Sequence, residues 1–280
     1  MTLLIDSGNT RIKLGWCHPV TGAREAMALS LRADQLDQLP ALLQAHQAPL
    51  QDIKRCSGPR AIGVNVAGTH VQALIDQAMH ALGLSPVRWL RSEAKAFGLR
   101  NGYKRAEQLG ADRWVALLGL CDLLQNASYA DHPALLASFG TATTIDMLGP
   151  VQTNERNFLG GTILPGPSLM LSSLKQNTAQ LPQAHGRISP FPTDTDAAIC
   201  TGVAAAQAGA VLRQWEQGRL QFGVPPLLFI AGGGRDLILP ELHQQLAHHC
   251  RLINTVPPPA QNLDTPTLSG LALYASAPRL

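Results

Sequence analysis

Leu3-Leu4-Ile5-Asp6-Ser7-Gly8-Asn9-Thr10-Arg11-Ile12-Lys13-Leu14-Gly15-Trp16 has a counterpart 132 residues further on, in Ala134-Leu135-Leu136-Ala137-Ser138-Phe139-Gly140-Thr141-Ala142-Thr143-Thr144-Ile145-Asp146-Met147-Leu148. In each stretch an apolar run reaches a small polar tip and a glycine, then a second run begins. After the first tip, Ile12, Leu14 and Trp16 alternate with Arg11, Lys13 and Gly15, the period of a strand. After the second, Thr143, Thr144 and Ile145 are β-branched and suit a strand equally. Both stretches are predicted to be β-hairpins, with Leu3, Leu4, Asp6, Gly8 and Thr10 falling over Leu135, Leu136, Ser138, Gly140 and Ala142. A second echo follows in the same order. Residues 61–66 read as a strand running into Ala67-Gly68 and a helix over 71–82, and residues 227–231 run into Ala231-Gly232 and a helix over 240–249. An ordered repeat of this kind predicts an α/β protein of two related lobes, with a cleft between them that the glycine turns face. The expected lobes span residues 1–118 and 119–265, with a last helix over 266–280 returning to the first.

The composition agrees with this and excludes other classes. With 280 residues, 45% hydrophobic and 15% charged, the chain can bury a sizeable core and is not disordered. A net charge of +3 with scattered basic residues gives no footprint for nucleic acid. No uninterrupted apolar run approaches the length of a membrane span, and the first apolar run stops at Asp6 without a basic segment before it, so a membrane or secretory address is not expected and a cytoplasmic one is. Five cysteines, Cys17, Cys56, Cys121, Cys200 and Cys250, include no Cys-x-x-Cys pair and read as reduced, packed thiols. His243, His248 and His249 lack the spacing of metal ligands and read as surface residues.

Three glycine turns and one helix start carry the candidate chemistry. At Asp6-Ser7-Gly8-Asn9-Thr10, backbone N–H groups, an amide and a hydroxyl can converge on an anion while Asp6 holds a cation and Lys13 balances phosphate charge. The same residues also suit a turn chosen for tolerance of positive φ. Gly140-Thr141 offers close approach and a hydroxyl at the second tip. Gly232 and Gly233 could let a nucleoside lie on bare backbone, although Leu237 stands where a dinucleotide fingerprint needs its third glycine. Gly110-Ala111-Asp112-Arg113 opens a helix over 110–124. Asp112 there is either a helix-start carboxylate or the acceptor of a substrate hydroxyl proton, and Arg113 either a solvated partner or the clamp on an anionic group. Gly202 and Gly209 share one face of an alanine-rich helix over 196–217, in the core or at a subunit interface.

Taken in order, these pieces resemble the type III pantothenate kinases, members of the actin-like, sugar-kinase and heat-shock-chaperone superfamily built from two ribonuclease H-like lobes. The resemblance spans nearly the whole chain. It rests on Asp6-x-Gly8-Asn9-Thr10-x-x-Lys13, Asn101-Gly102-Tyr103, Leu109-Gly110-Ala111-Asp112-Arg113 and Gly140-Thr141-Ala142-Thr143-Thr144-Ile145-Asp146, then Gly160-Gly161-x-x-x-Pro165-Gly166, Thr195-x-x-Ala198-Ile199-x-x-Gly202 and Ala231-Gly232-Gly233. It implies ATP-dependent phosphorylation of the 4′-hydroxyl of pantothenate, the entry step of coenzyme A synthesis. By the same resemblance Asp6, Ser7, Gly8, Asn9, Thr10, Arg11, Lys13, Gly140 and Thr141 contact the ATP phosphates, and Gly232 and Gly233 lie near the adenosine. Asp112 is the proton acceptor, while Tyr103, Gly110, Ala111 and Arg113 form the pantothenate pocket. Thr195 reaches pantothenate from the neighbouring subunit of a homodimer, and Asp6 binds Mg2+, through water. Ser138 departs from the family, which carries there an aspartate for a monovalent cation. A neutral hydroxyl does not supply that charge, so dependence on potassium or ammonium is not expected. The rival readings are a kinase for another small alcohol and a nucleotide-binding regulatory protein of the same fold.

Overall fold

Six consecutive buried residues, Thr2–Ser7, form strand β1, and a run buried on both faces is what a central strand requires. β2 (Arg11–Cys17) returns antiparallel to it, with Ser7 opposite Ile12 and Asp6 opposite Lys13. The computed structural model describes residues 1–25, 28–46, 61–127 and 129–277, so Cys56 lies outside the described residues. The other four cysteines are buried free thiols. Beyond β2 lies β3 (Leu29–Arg32); on the other side of β1, β4 (Ala61–Asn65) and then β5 (Arg88–Trp89) run parallel. The sheet order is β3-β2-β1-β4-β5. Helices α1 (Leu39–Ala45) and α2 (Thr69–Ala81) cover one face, where Leu39, Leu43, Ile75 and Met79 join Leu3, Ile5, Ile12 and Leu14 in one core. A short hairpin, β6 (Lys95–Ala96) and β7 (Leu99–Asn101), precedes helix α3 (Ala111–Asn126).

The second unit repeats the plan. β8 (Ala134–Phe139) pairs antiparallel with β9 (Ala142–Gln152), β9 with β10 (Glu155–Pro165), and β8 lies parallel to β11 (Leu227–Ala231), which is parallel to β12 (Ala260–Asn262). The five strands of this unit lie in the order β12-β11-β8-β9-β10, which parallels the order of the first sheet, with β8, β9 and β11 in the places of β1, β2 and β4. Helices α4 (Pro167–Asn177), α5 (Thr195–Phe222) and α6 (Arg235–Leu252) surround it. α5 has the length and composition of a membrane span; in this fold its Ala204, Ala208, Val211 and Trp215 are buried in the second core, and the Trp215 indole N–H donates to the Pro226 carbonyl at 3.0 Å.

The last helix, α7 (Pro266–Ser276), belongs to the first unit, which comprises Met1–Tyr129 and Thr265–Leu280; the second is Ala130–Asp264. α3 and α7 meet at backbone distance, since a Cβ on Gly270 would lie 1.9 Å from the Val115 carbonyl oxygen. Residue 118 therefore sits mid-helix, inside the first unit rather than at its end.

Two expectations need correction. The first hairpin turn has three residues, 8–10, and the second only two, Gly140 and Thr141. The repeat therefore holds at an offset of 132 through the first strands but at 131 beyond the turn: Ala142 matches Arg11, and Thr144 matches Lys13. Helix α6 starts at Arg235, not at Pro240, and runs through that proline. The ring removes one N–H bond, which burial of Ile238, Leu242 and Leu246 along the same helix offsets.

Candidate active site

In the first unit the register of β1 on β2 sets Asp6 opposite Lys13, whose ammonium lies 3.9 Å from the carboxylate. Asp6 is only 8% exposed. Burial pushes its carboxyl up to about 6; the Lys13 ammonium opposes the rise, the Asp112 carboxylate adds to it, and a hydrogen bond from Thr267 opposes it. A buried carboxylate near a second carboxylate is short of positive charge, and a divalent cation fits that deficit. Among the described residues no three His, Cys, Asp or Glu side chains form a metal cage. Mg2+ needs none, because one or two carboxylates with phosphate oxygens and water complete its shell.

The turn that follows is not selected for left-handed backbone, since neither Gly8 nor Asn9 has a positive φ. The Gly8 N–H donates to the Arg11 carbonyl at 3.1 Å, and Asn9, Thr10 and Arg11 face solvent. Ser7 ends β1 just before this turn. The whole residue is buried, and its carbonyl accepts the Val66 N–H at 2.9 Å.

Asp112 stands in the first turn of α3, where its Oδ1 accepts the Arg113 N–H at 2.8 Å. A Cβ on Gly110 would lie 2.6 Å from that oxygen, so a glycine lets the carboxylate fold back over the helix start. Ala111, the first helical residue, is half-buried beside it. Arg113 is buried, and its Nη1 donates to the Tyr103 hydroxyl at 3.1 Å. Asn101 explains why Tyr103 is held there: its Oδ1 accepts the Tyr103 N–H at 3.0 Å while its Nδ2 donates to the carbonyls of Glu93 and Ala106 at 3.2 and 3.3 Å. Beneath them the Trp114 indole N–H donates to the Tyr274 hydroxyl at 3.3 Å, Tyr274 donates to Glu93, and Phe97 packs edge-on against the Tyr274 ring. Burial raises the Tyr274 phenol well above its ordinary value, so this group is a fixed, neutral support.

In the second unit Ser138 stands opposite Thr144, so two neutral hydroxyls occupy the register positions of Asp6 and Lys13. The Gly140–Thr141 turn is exposed. Gly232 has φ +91°, and a Cβ there would lie 2.4 Å from the Phe139 carbonyl oxygen, which only glycine permits. With Gly234 N–H donating to the same carbonyl at 2.9 Å, the 232–234 turn is laid over the end of β8 and Gly233 is left as open backbone. Thr195 begins α5 after Asp194, whose carboxylate accepts the Ala197 N–H at 2.8 Å. It lines an apolar groove of about 890 Å³ with Leu169, Met170, Leu174, Ile199 and Gly202.

Sequence reasoning missed Thr267, which lies 261 positions from the Asp6 it contacts and has only a helix start after a proline as its signal. It also misread His249, which is no free surface histidine: its Nε2 lies 3.1 Å from the Glu216 carboxylate, and its ring packs edge-on against Trp215.

Residues 2–217 match the sequence profile of the type III pantothenate kinases. Similar proteins include the type III pantothenate kinase of Bordetella petrii, 45% identical over 278 residues, and that of Bordetella bronchiseptica, 42% identical over the same length; the matches cover 99% of this chain and 98% of each relative. Among solved structures, one described as a 2-dehydro-3-deoxygalactonokinase protein from Sinorhizobium meliloti superposes with a TM-score of 0.51 at 13% identity, over 99% of this chain and 98% of that one, a likeness of fold alone. On the family profile and these full-length identities, the chain belongs to the type III pantothenate kinase family, which phosphorylates pantothenate in coenzyme A biosynthesis.

Proposed function

We propose that this chain transfers the γ-phosphoryl group of ATP to the 4′-hydroxyl of pantothenate with Asp112 as proton acceptor. What supports the reading is that the Lys13 ammonium lies 3.9 Å from the Asp6 carboxylate, that Asp112 is fixed at the start of α3 by the Arg113 N–H at 2.8 Å, and that the Asp112 carboxylate adds to the rise of the Asp6 carboxyl. As the hydroxyl oxygen bonds to the γ-phosphorus, Asp112 takes the hydroxyl proton, the bond from that phosphorus to the β,γ-bridging oxygen breaks, and ADP leaves. The Gly110 backbone and the Arg113 N–H bond hold Asp112 in place, so orientation is what α3 supplies. Arg113, set by Tyr103, holds the pantothenate carboxylate through paired N–H bonds, with Gly110 and Ala111 beside it.

The turn at Ser7, Gly8, Asn9, Thr10 and Arg11, together with Lys13, Gly140 and Thr141, contacts the ATP phosphates, and Gly232 and Gly233 lie against the adenosine. Asp6 would hold Mg2+, through water, which neutralises phosphate charge when bound. No monovalent cation is required, because Ser138 and Thr144 bring no charge to the second turn. The enzyme is a homodimer in which Thr195 serves the neighbouring subunit's pantothenate. In support, Gly202 lies exposed in the apolar groove beside Thr195, and a Cβ on it would meet nothing within 4 Å. Its buried free thiols, with Cys17 pushed up to about 11 chiefly by burial, suit the cytoplasm.

The test is ADP release from Mg-ATP by purified protein with pantothenate, with a panel of sugars and other small alcohols, and with no acceptor, in sodium and in potassium buffer. Phosphopantothenate by mass, at equal rates in both salts, supports the reading. Turnover only with another alcohol, or none in folded protein, overturns it.

A further inference from the structure

We infer that Gln207, buried on α5, is a positioning residue for the Gly140–Thr141 turn, an inference that rests on reading that turn as a contact for the ATP phosphates. Gln207 is 0% exposed and sits among the core residues Ala204, Ala208 and Val211 of its own helix. A buried amide costs free energy unless it is bonded, so packing alone does not call for one here. Its Nε2 donates to the Pro165 carbonyl at 2.7 Å and lies 3.0 Å from the Met170 sulfur.

Pro165 ends β10 opposite Ala142, the residue immediately after the turn. The next residue carries the connection onward: the Gly166 N–H donates to the Thr141 carbonyl at 2.9 Å. The fit is close enough that a Cβ on Gly166 would lie 2.0 Å from the Gly140 oxygen and 2.6 Å from the Thr141 oxygen. Because Pro165 and Pro167 have no N–H, Gly166 holds the main-chain donor of this three-residue segment. Two hydrogen bonds in series thus run from the interior of α5 to Thr141. Freeing the Pro165 carbonyl lets the 165–166 peptide rotate away from the turn it braces.

Gln207→Met keeps the volume and removes the donor; Gln207→Leu, which likewise has no donor, carries the test if the first variant does not fold. Both are read by steady-state kinetics and by hydrogen exchange at the Gly166 amide. We expect KM for ATP to rise about fivefold, the scale of one lost hydrogen bond, with KM for pantothenate within about twofold of wild type, and Gly166 exchange about fivefold faster. A lowered melting temperature with both KM values and Gly166 exchange unchanged would overturn the inference and leave Gln207 a packing residue. Thr141→Val separates the two readings. If it leaves KM for ATP unaltered, the assignment of the turn to ATP fails; if it raises KM for ATP while the Gln207 variants do not, the role of Gln207 alone fails.

Discussion

Asp6→Asn is expected to make the protein more stable and inactive. The Asp6 carboxyl moves from its ordinary 3.8 to about 6 on folding, which disfavours the ionised folded form by about 3 kcal/mol. The folded state binds this proton more tightly than the unfolded state, so the penalty is absent below pH 3.8, grows as pH rises and is complete above about 6. An asparagine keeps the shape and carries no charge. The variant should therefore exceed wild type by up to about 3 kcal/mol at pH 7.5, and the gap should narrow by about 1.5 kcal/mol at pH 5. Urea unfolding without nucleotide or Mg2+, followed by tryptophan fluorescence, reads this directly, since Trp16, Trp89 and Trp114 all belong to the first unit. Turnover in the same preparation should be lost, because the proposed mechanism uses the Asp6 charge to hold the cation of the phosphates. A variant less stable than wild type at pH 7.5, or a gap of equal size at both pH values, would refute the reasoning.

Gly110→Ala places a Cβ 2.6 Å from the Asp112 carboxylate oxygen and should lower kcat at least about tenfold, with the ATP dissociation constant unchanged by titration calorimetry. Tyr103→Phe removes the hydroxyl that accepts from Arg113 and should raise KM for pantothenate about fivefold with KM for ATP unaltered, measured by coupled assay. Glu216 is held down at about 2, mainly by hydrogen bonds from Arg219, with His249 helping and burial opposing. The stability it contributes is present above pH 4.5 and lost as pH falls toward 2. Because the cluster is partly solvated, Glu216→Gln should cost no more than about 1 kcal/mol at pH 7, and acid titration of the unfolding midpoint should show the variant and wild type converging below pH 3.

The hairpins were legible because period-two alternation and a small polar tip act locally, and Asp6, Lys13, Asp112 and Arg113 stood out because they sit at strand ends and a helix start. The length of the second turn was not legible, since Gly140, Thr141 and Ala142 all suit a turn and only pairing across the sheet decides where β9 begins. β10 was missed because Gly160 and Gly161 argue against a strand by propensity; its pairing with β9 overrides them. The buried Arg156, whose guanidinium donates to the carbonyls of Ala130, His132 and Gly149, further ties it to the chain around it. Beyond the helix start that marks Thr267, neither it nor Gln207 carries a local signal of its role, because their partners, Asp6 and Pro165, are distant in sequence. The reason for Gly110 is different: its neighbour Asp112 is only two residues away and the motif could be read, but the carboxylate folded back over it could not.

The most direct test of the account is Asp112→Asn against wild type, with phosphopantothenate formation followed by mass and ATP affinity measured in the same preparations. The account predicts loss of product by at least about a hundredfold, the scale of general-base catalysis, with ATP binding within about twofold of wild type. Product formed at an undiminished rate would contradict it, because the carboxylate at the start of α3 would then have no part in the transfer.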